Sequence, residues 1–388
     1  MNSFEIVIAG IGQTPVQEHW DLSLRELAFN AIEACLQDAA ELRPQALMVA
    51  NMLAPALSGQ SQLGALLADF AGFSGIEATV VEAAGASGGA ALRQAYLAIA
   101  SGAVDTALVV GVEKFTDRVG ALVESALSTA TDSDYEAIHG VTPTAQQAML
   151  MRRYMHEFDL PHDVFAAFPL TAHANGATNP NAMFQKAIKA EVYAKAGVVS
   201  DPLNLFDVAP LADGAAAVLL ARADRLPAGF PHPLVRIAGS SLATDTLALH
   251  DRPDPLELTA ARISIERACQ QAGVMPGEFD LFELYDSTSI LAALSLEAAG
   301  FAERGQGWKL AQDGGIGLNG FLPLMTFGGL KARGNPGGAT GIYQVVEAAL
   351  QLRGQAGANQ VPGAQRALVQ SLGGPASTAV THILESLA

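Results

Sequence analysis

The chain has 388 residues and a formal charge of -17, with 50% hydrophobic and 16% charged residues. That length exceeds the roughly 250–300 residues at which a single core stops growing, so two or more packed units are expected, and the apolar composition excludes a disordered chain. The acidic balance excludes nucleic acid as a partner, because phosphate binding needs a concentrated basic face.

Apolar runs such as 103–112 end well short of the ~20 residues a membrane span needs. No basic segment precedes the apolar run 6–11, so no secretory signal is read and a cytoplasmic protein is expected. The only cysteines, Cys35 and Cys269, lie in helical patterns. They read as core residues, and neither a disulfide framework nor a metal site is expected.

In chain order, short β-branched runs alternate with longer helical patterns: EIVIAGIG, LRELAFNAIEACLQDAAE, ALMVANML, TVVEA, a helix, then DTALVVGVE. This alternation predicts an α/β fold. From residue 115 to 202 the pattern gives way to a polar stretch rich in Met and His, which reads as an inserted loop domain. ADGAAAVLLARAD restores a strand, and from Leu234 the alternation restarts with LVRIAGSS, LELTAARISIERACQQAG, FDLFELYD, a helix, a glycine-rich loop, and closing strands RALVQSLGG and TAVTHILES. The expected organisation is a first half (1–114 with 203–227), the insertion (115–202) and a second half (228–388) that repeats the first in outline.

Two junctions stand out. VVEAAGASGGAALRQAYLAIA and LFELYDSTSILAALSLEAAG each pass from strand to helix through small or polar residues. Such points collect ligands in α/β sheets, because free helix N–H groups and the helix dipole favour negative charge. One per half, the two are expected to face one cleft.

Four blocks carry a family resemblance: VEAAGASG at 81–88, NPNA at 179–182, ADGAAAV at 212–218 and GGLKARGNPGGATG at 328–341, extended by LNGFLPLMTFGG and SLGGPASTAV. On these residues the chain resembles the thiolase superfamily, of the sterol-carrier or archaeal acetyl-CoA acetyltransferase type, over nearly its whole length. The resemblance implies a five-layer αβαβα thiolase fold made of two similar halves, a loop domain, a homodimer, and a coenzyme A thioester as substrate or ligand, with no covalent cofactor.

The resemblance also defines departures. The family block VExxCASG carries a nucleophilic cysteine where this chain has Gly85. The basic GHP motif reads GNP with Asn335, which cannot take up a proton. The histidine of HDxF is Tyr285, followed by the retained Asp286, and the positions of a second, proton-shuttling cysteine hold Ser287 and Ser371. Cysteine-dependent Claisen chemistry is therefore not expected.

Backbone donors outlast every side-chain change. The amides near Ala86 and Ser87, and those of Gly373 and Gly374, are candidates for an oxyanion hole. A retro-aldol cleavage of a β-hydroxyacyl-CoA needs such a hole and no covalent nucleophile. Thiolase-like aldolases lacking the cysteine, with a tyrosine near HDxF and an OB-fold zinc-ribbon accessory protein, offer the pattern that Tyr285 resembles. The expected roles are Tyr285 as proton donor or acceptor, Asp286 orienting it, and Asn335 donating to the thioester oxygen.

Two other readings stand beside it: a non-catalytic subunit that binds acyl-CoA or supports an active thiolase-like partner, and decarboxylation or thiol-to-thiol acyl transfer in a cleft widened by Gly85. Tyr343 reads as a helix residue touching core. His156, His162, His173, Arg152, Arg153, Lys186 and Lys189 in the insertion, with Lys331 and Arg333 beside the glycine-rich turn, are open as contacts to coenzyme phosphates or as solvated charge. That turn is no P-loop, since GK[ST] is absent.

Overall fold

The computed structural model describes residues 4–40 and 42–387. The expected halves extend into residues 1–3 and 388, which lie outside the described residues. Eleven strands are β1 (Ile6–Gln13), β2 (Ala46–Ala50), β3 (Glu77–Val81), β4 (Thr106–Glu113), β5 (Val198–Ser200), β6 (Leu203–Asn204), β7 (Gly214–Arg222), β8 (Leu234–Thr244), β9 (Leu281–Glu283), β10 (Arg366–Gly373) and β11 (Thr378–Leu387). The α-helices are α1 (Leu24–Asp38), α2 (Ala54–Leu57), α3 (Leu63–Phe70), α4 (Ser87–Ala100), α5 (Gly120–Ser128), α6 (Pro143–Glu157), α7 (Ala167–Gly176), α8 (Ala190–Ala194), α9 (Thr259–Ala272), α10 (Ser289–Ala298) and α11 (Thr340–Leu352).

Nine strands run in the order β3-β2-β4-β7-β1-β8-β11-β10-β9. The two halves meet at their equivalent first strands, β1 and β8, through the single pair Val7–Arg236. Outward from that seam both halves follow the same order, and the third strand of the second half is reduced to a bridge between Phe282 and Leu324. The duplication expected from the alternation is therefore present in the sheet topology.

Strand type follows burial. In β2 and β4 every residue is buried, as a sheet covered on both faces requires. One apolar cluster joins α1 and α3 to the outer face of the first half-sheet, a second holds α4 and α11 between the half-sheets, and a third packs α9 and α10 on the far side. These are the five αβαβα layers.

The middle layer needs glycine. A Cβ on Gly88 of α4 would lie 2.8 Å from the backbone N of Ile342 in α11, so the two central helices cross in backbone contact. This crossing brings the N-terminus of each central helix to the same end of the molecule. Helices α5 to α8, with the β5–β6 ribbon, fall between β4 and β7 and cover that end.

Candidate active site

The first junction leaves β3 at Val81 and turns into α4 within five residues. Ala84 takes φ 50, a left-handed conformation uncommon for alanine. The turn is tied locally: the Ser87 hydroxyl accepts from Ala83 N at 2.9 Å and donates to Ala84 O at 2.6 Å, while the Glu82 carboxylate accepts from Ala84 N at 2.6 Å. The second junction, Leu284 to Thr288, leaves β9 and enters α10.

These junctions face each other, as expected. A cavity of about 200 Å³ is lined by Ala84 and Gly85 from the first, Tyr285 and Ser287 from the second, Asn335 and Gly337 from the glycine-rich loop, and Gly374 from the β10–β11 turn. Four separate backbone turns thus converge on one site.

Its central feature is the pairing of Gly85 with Tyr285. A Cβ built on Gly85 would lie 2.3 Å from Tyr285 Oη, 2.8 Å from Tyr285 Cζ and 2.7 Å from the Leu372 carbonyl. Gly85 is not in the left-handed region, so space and not backbone freedom demands glycine. The phenol therefore occupies the volume that a side chain at position 85 would need. This corrects the expectation that Gly85 widens the cleft, since Tyr285 fills what the missing side chain leaves.

Tyr285 is buried, and burial pushes its hydroxyl up to about 12, the neighbouring Asp286 charge adding to the effect, while the Asn335 amide and the Arg333 charge act in the opposite direction. The phenol is thus neutral at physiological pH. The amide of Asn335 has a fixed orientation: Oδ1 accepts from Gly337 N at 3.1 Å and from Thr340 Oγ1 at 3.2 Å, so the oxygen must face these donors and Nδ2 faces Tyr285. Thr340 was not singled out by the sequence; its place at the start of α11, five residues after Asn335, is the signal that finds it.

Several expectations need correction. Asp286 does not orient Tyr285: its Oδ1 accepts from Leu330 N at 2.7 Å, and no hydrogen bond to Tyr285 exists among the described residues. It holds the glycine-rich loop, against which Gly329 leaves room for the carboxylate. Ala86 and Ser87 do not offer free amides, since they donate to Ala83 O and Ala84 O within the turn. The amide of Gly85 itself, on the cavity floor, has no protein acceptor among the described residues, and it replaces them as the oxyanion candidate.

Ser371 faces away from the cavity and donates to Gln344 Oε1 at 2.9 Å inside the core. Gly373 packs behind the site, where a Cβ would meet Ala83 O at 2.2 Å, and Gly374 lines the cavity instead. Ser287 does line it, with an unpartnered hydroxyl.

The remaining candidates separate cleanly. Tyr343 is core, donating to Thr14 O at 2.9 Å. Lys331 and Arg333 are not solvated charges: both are buried, Lys331 donating to Asp207 O at 2.6 Å and Arg333 pairing with Glu347 at 2.7 Å. His162 pairs with Asp207 at 2.6 Å, Arg152 with Asp201, and Arg153 with Glu157 at 3.0 Å, while His156 is exposed.

Cys35 and Cys269 are buried in α1 and α9, where desolvation raises both thiols, Cys269 to about 11. Neither is near the cavity or suited to act as a thiolate. Among the described residues no helix is long and apolar enough to cross a membrane, and no cluster of His, Cys, Asp or Glu could hold a metal ion.

Residues 6–224 match the family model described as Thiolase, N-terminal domain, and residues 241–386 match Thiolase C-terminal domain-like. The chain is 39% identical over 383 residues to an acetyl-CoA acetyltransferase of Methanothermobacter thermautotrophicus, covering 98% of this chain and 99% of that protein. It is 30% identical over 385 residues to the 17-hydroxy-3-oxo-4-pregnene-20-carboxyl-CoA lyase of Mycobacterium tuberculosis, covering 95% and 96%. Among solved structures, the Ltp2-ChsH2(DUF35) aldolase superposes with a TM-score of 0.84 at 25% identity, over 98% of both chains. Both halves, the strand order and these relatives agree that the chain belongs to the thiolase superfamily.

Proposed function

We propose that this protein is a carbon–carbon lyase that cleaves a β-hydroxyacyl-CoA by a retro-aldol reaction. The observation that carries the reading is the Tyr285 hydroxyl seated 2.3 Å from where a Cβ of residue 85 would be, so that a proton-transfer group stands in the place of a covalent nucleophile. A relative of similar length that is named a lyase, and an aldolase with the same fold, support the choice of reaction class.

The chemistry balances without a co-reactant. The β-hydroxyl proton leaves as the carbonyl forms, the Cα–Cβ bond breaks, its electron pair enters the thioester enolate, and a proton returns to Cα to give a shortened acyl-CoA and a ketone or aldehyde. A neutral phenol relays this proton, accepting from the hydroxyl as it donates to Cα, so the high pKa of Tyr285 is compatible with the role. In this reading the Gly85 amide would hold the enolate oxygen, and the Asn335 amide beside the phenol would orient it.

The reading includes a coenzyme A thioester as ligand, a homodimer, and an accessory protein of OB-fold zinc-ribbon type. The solved aldolase that this chain resembles has a second component, ChsH2(DUF35), in its name. The open edge of β3, with exposed Val80, is the surface on which a second copy would pair.

Calorimetry with acetyl-CoA and a longer acyl-CoA, on wild type and Tyr285→Phe, followed by a screen of β-hydroxyacyl-CoA cleavage, tests the proposal. Binding by both proteins with cleavage by wild type alone supports it. Absence of all acyl-CoA binding defeats it and leaves a non-catalytic subunit.

A further inference from the structure

Two of the turns that frame the Tyr285 cavity are tied to one buried carboxylate. Glu113, the last residue of β4, is 1% exposed. Its Oε1 accepts from Asn51 Nδ2 at 2.9 Å and from Leu53 N at 3.1 Å, and its Oε2 accepts from Met52 N at 2.9 Å and from Gly338 N at 3.1 Å. The first three donors belong to the turn that leaves β2 for α2, and the fourth to the turn that carries Asn335 into α11. The carboxylate thus joins the first half of the chain to a loop 225 residues further on.

Both tied turns reach the cavity, which Met52 and Gly337 line beside Tyr285 and Asn335, while Glu113 does not line it. Gly337 N donates to Asn335 Oδ1 at 3.1 Å, and the next amide, that of Gly338, is the one Glu113 holds. The fit is close. A Cβ on Gly337 would meet Phe115 Cζ at 2.9 Å and Glu113 Cγ at 3.0 Å, and one on Gly338 would meet Met52 N at 2.9 Å. Successive peptides of one turn therefore fix the Asn335 amide and pack the loop on Met52.

An ionised carboxylate offers about four acceptor sites and no donor, and here four N–H groups fill them. Protonation turns one acceptor into a donor, so at least one N–H loses its partner. Burial pushes Glu113 up to about 7 from 4.5, with the hydrogen bonds from Met52, Gly338, Leu53 and Asn51 acting the other way. Both forms are therefore populated near neutral pH. Among the described residues no charged side chain bonds to it, and the adjoining Lys114 and Asp213 pair with each other at 3.2 Å.

We infer that Glu113 is a positioning residue for the Tyr285 cavity: ionised, it holds Met52 and the Gly337–Gly338 turn, and through that turn the Asn335 amide, and protonated it releases them. The inference deepens the lyase reading and rests on it for the effect on rate, whereas the hold itself is a property of the chain alone.

Hydrogen exchange read by mass spectrometry on the full chain without ligand, corrected for the intrinsic pH dependence of amide exchange, tests the hold in wild type and Glu113→Gln. From about pH 8 to about pH 5.5, wild-type protection in peptides covering 51–54 and 336–340 should fall at least tenfold, while peptides within β4 stay constant. Glu113→Gln, whose carboxamide has one acceptor oxygen, should show the low protection at every pH. Global unfolding does not mimic this, because the folded state keeps a proton that the unfolded chain sheds between 4.5 and 7, so Glu113 adds stability as pH falls through that window.

In the same variants, kcat for β-hydroxyacyl-CoA cleavage should rise at least tenfold from about pH 5.5 to about pH 8 in wild type at nearly constant KM, and lose that profile in Glu113→Gln. Constant protection in wild type overturns the inference even where the variant fails to fold, and so does wild-type protection in a folded Glu113→Gln. Exchange that changes as expected without any cleavage supports the hold and defeats the lyase reading instead. Cleavage alongside pH-independent exchange does the reverse.

Discussion

Placing any side chain at position 85 should damage the site through Tyr285 and not through the backbone. Gly85→Ala puts a methyl 2.3 Å from Tyr285 Oη and 2.7 Å from the Leu372 carbonyl, where contacts under 3.0 Å force a shift. Leu372 is a strand residue in β10, paired with Ala379, so its carbonyl is fixed and the phenol must move. Overpacking of this kind costs about 1–3 kcal/mol, and displacing the proton relay costs about 10²- to 10⁴-fold in rate.

In a Tyr285→Ala background the same Gly85→Ala change loses its main obstacle. Urea denaturation of the four proteins, compared at constant m-value, should give a coupling of about 0.5–3 kcal/mol between the two positions. Gly85→Cys should likewise fail to create acyl transfer while Tyr285 is present. Full stability and full cleavage in Gly85→Ala would refute the reasoning, as would additive effects in the double variant.

Four further outcomes follow from the structure. Tyr285→Phe should reduce cleavage by at least 10²-fold at nearly constant KM, and lower stability by only about 1 kcal/mol because a single hydrogen-bonding hydroxyl is lost. Arg333→Met should destabilise by about 3–5 kcal/mol by stranding the buried Glu347 carboxylate, and Arg333→Met/Glu347→Leu should recover much of that loss in urea melts.

Burial and the Glu347 charge push Glu283 up to about 8 from 4.5, so the folded state keeps a proton that the unfolded chain sheds. Wild type should therefore lose stability relative to Glu283→Gln as pH rises from 4.5 to 8, by on the order of a few kcal/mol, and a flat difference across that window would contradict the assignment. Tyr343→Phe should leave cleavage unchanged and lower stability by about 1 kcal/mol, since its hydroxyl serves Thr14 in the core.

The sequence alone determined the layered α/β fold and its duplication, because strand and helix periodicities are local and the glycine-rich blocks tie to backbone turns that tolerate few alternatives. It also named Gly85, Tyr285 and Asn335, the positions at which the resemblance implies a departure from the family pattern. What it could not give is the relation between them: Gly85 and Tyr285, 200 positions apart, meet because the β3–α4 turn packs on the end of β10 at the Leu372 carbonyl, and β10 pairs in parallel with β9, the strand that leads into Tyr285.

Side-chain direction was equally hidden. Ser371 and Asp286 sit in recognisable blocks, yet one faces Gln344 and the other the Leu330 amide, since a strand alternates its faces and a loop can turn either way. The Ala86 and Ser87 amides were taken by the turn itself, a hydrogen-bond allocation that only the tertiary path from β3 to α4 decides. A cavity of about 760 Å³ beside the insertion is lined by His173, Lys186, Lys189 and Lys331, which the sequence named singly but could not bring together, because their approach is set by packing across the whole fold.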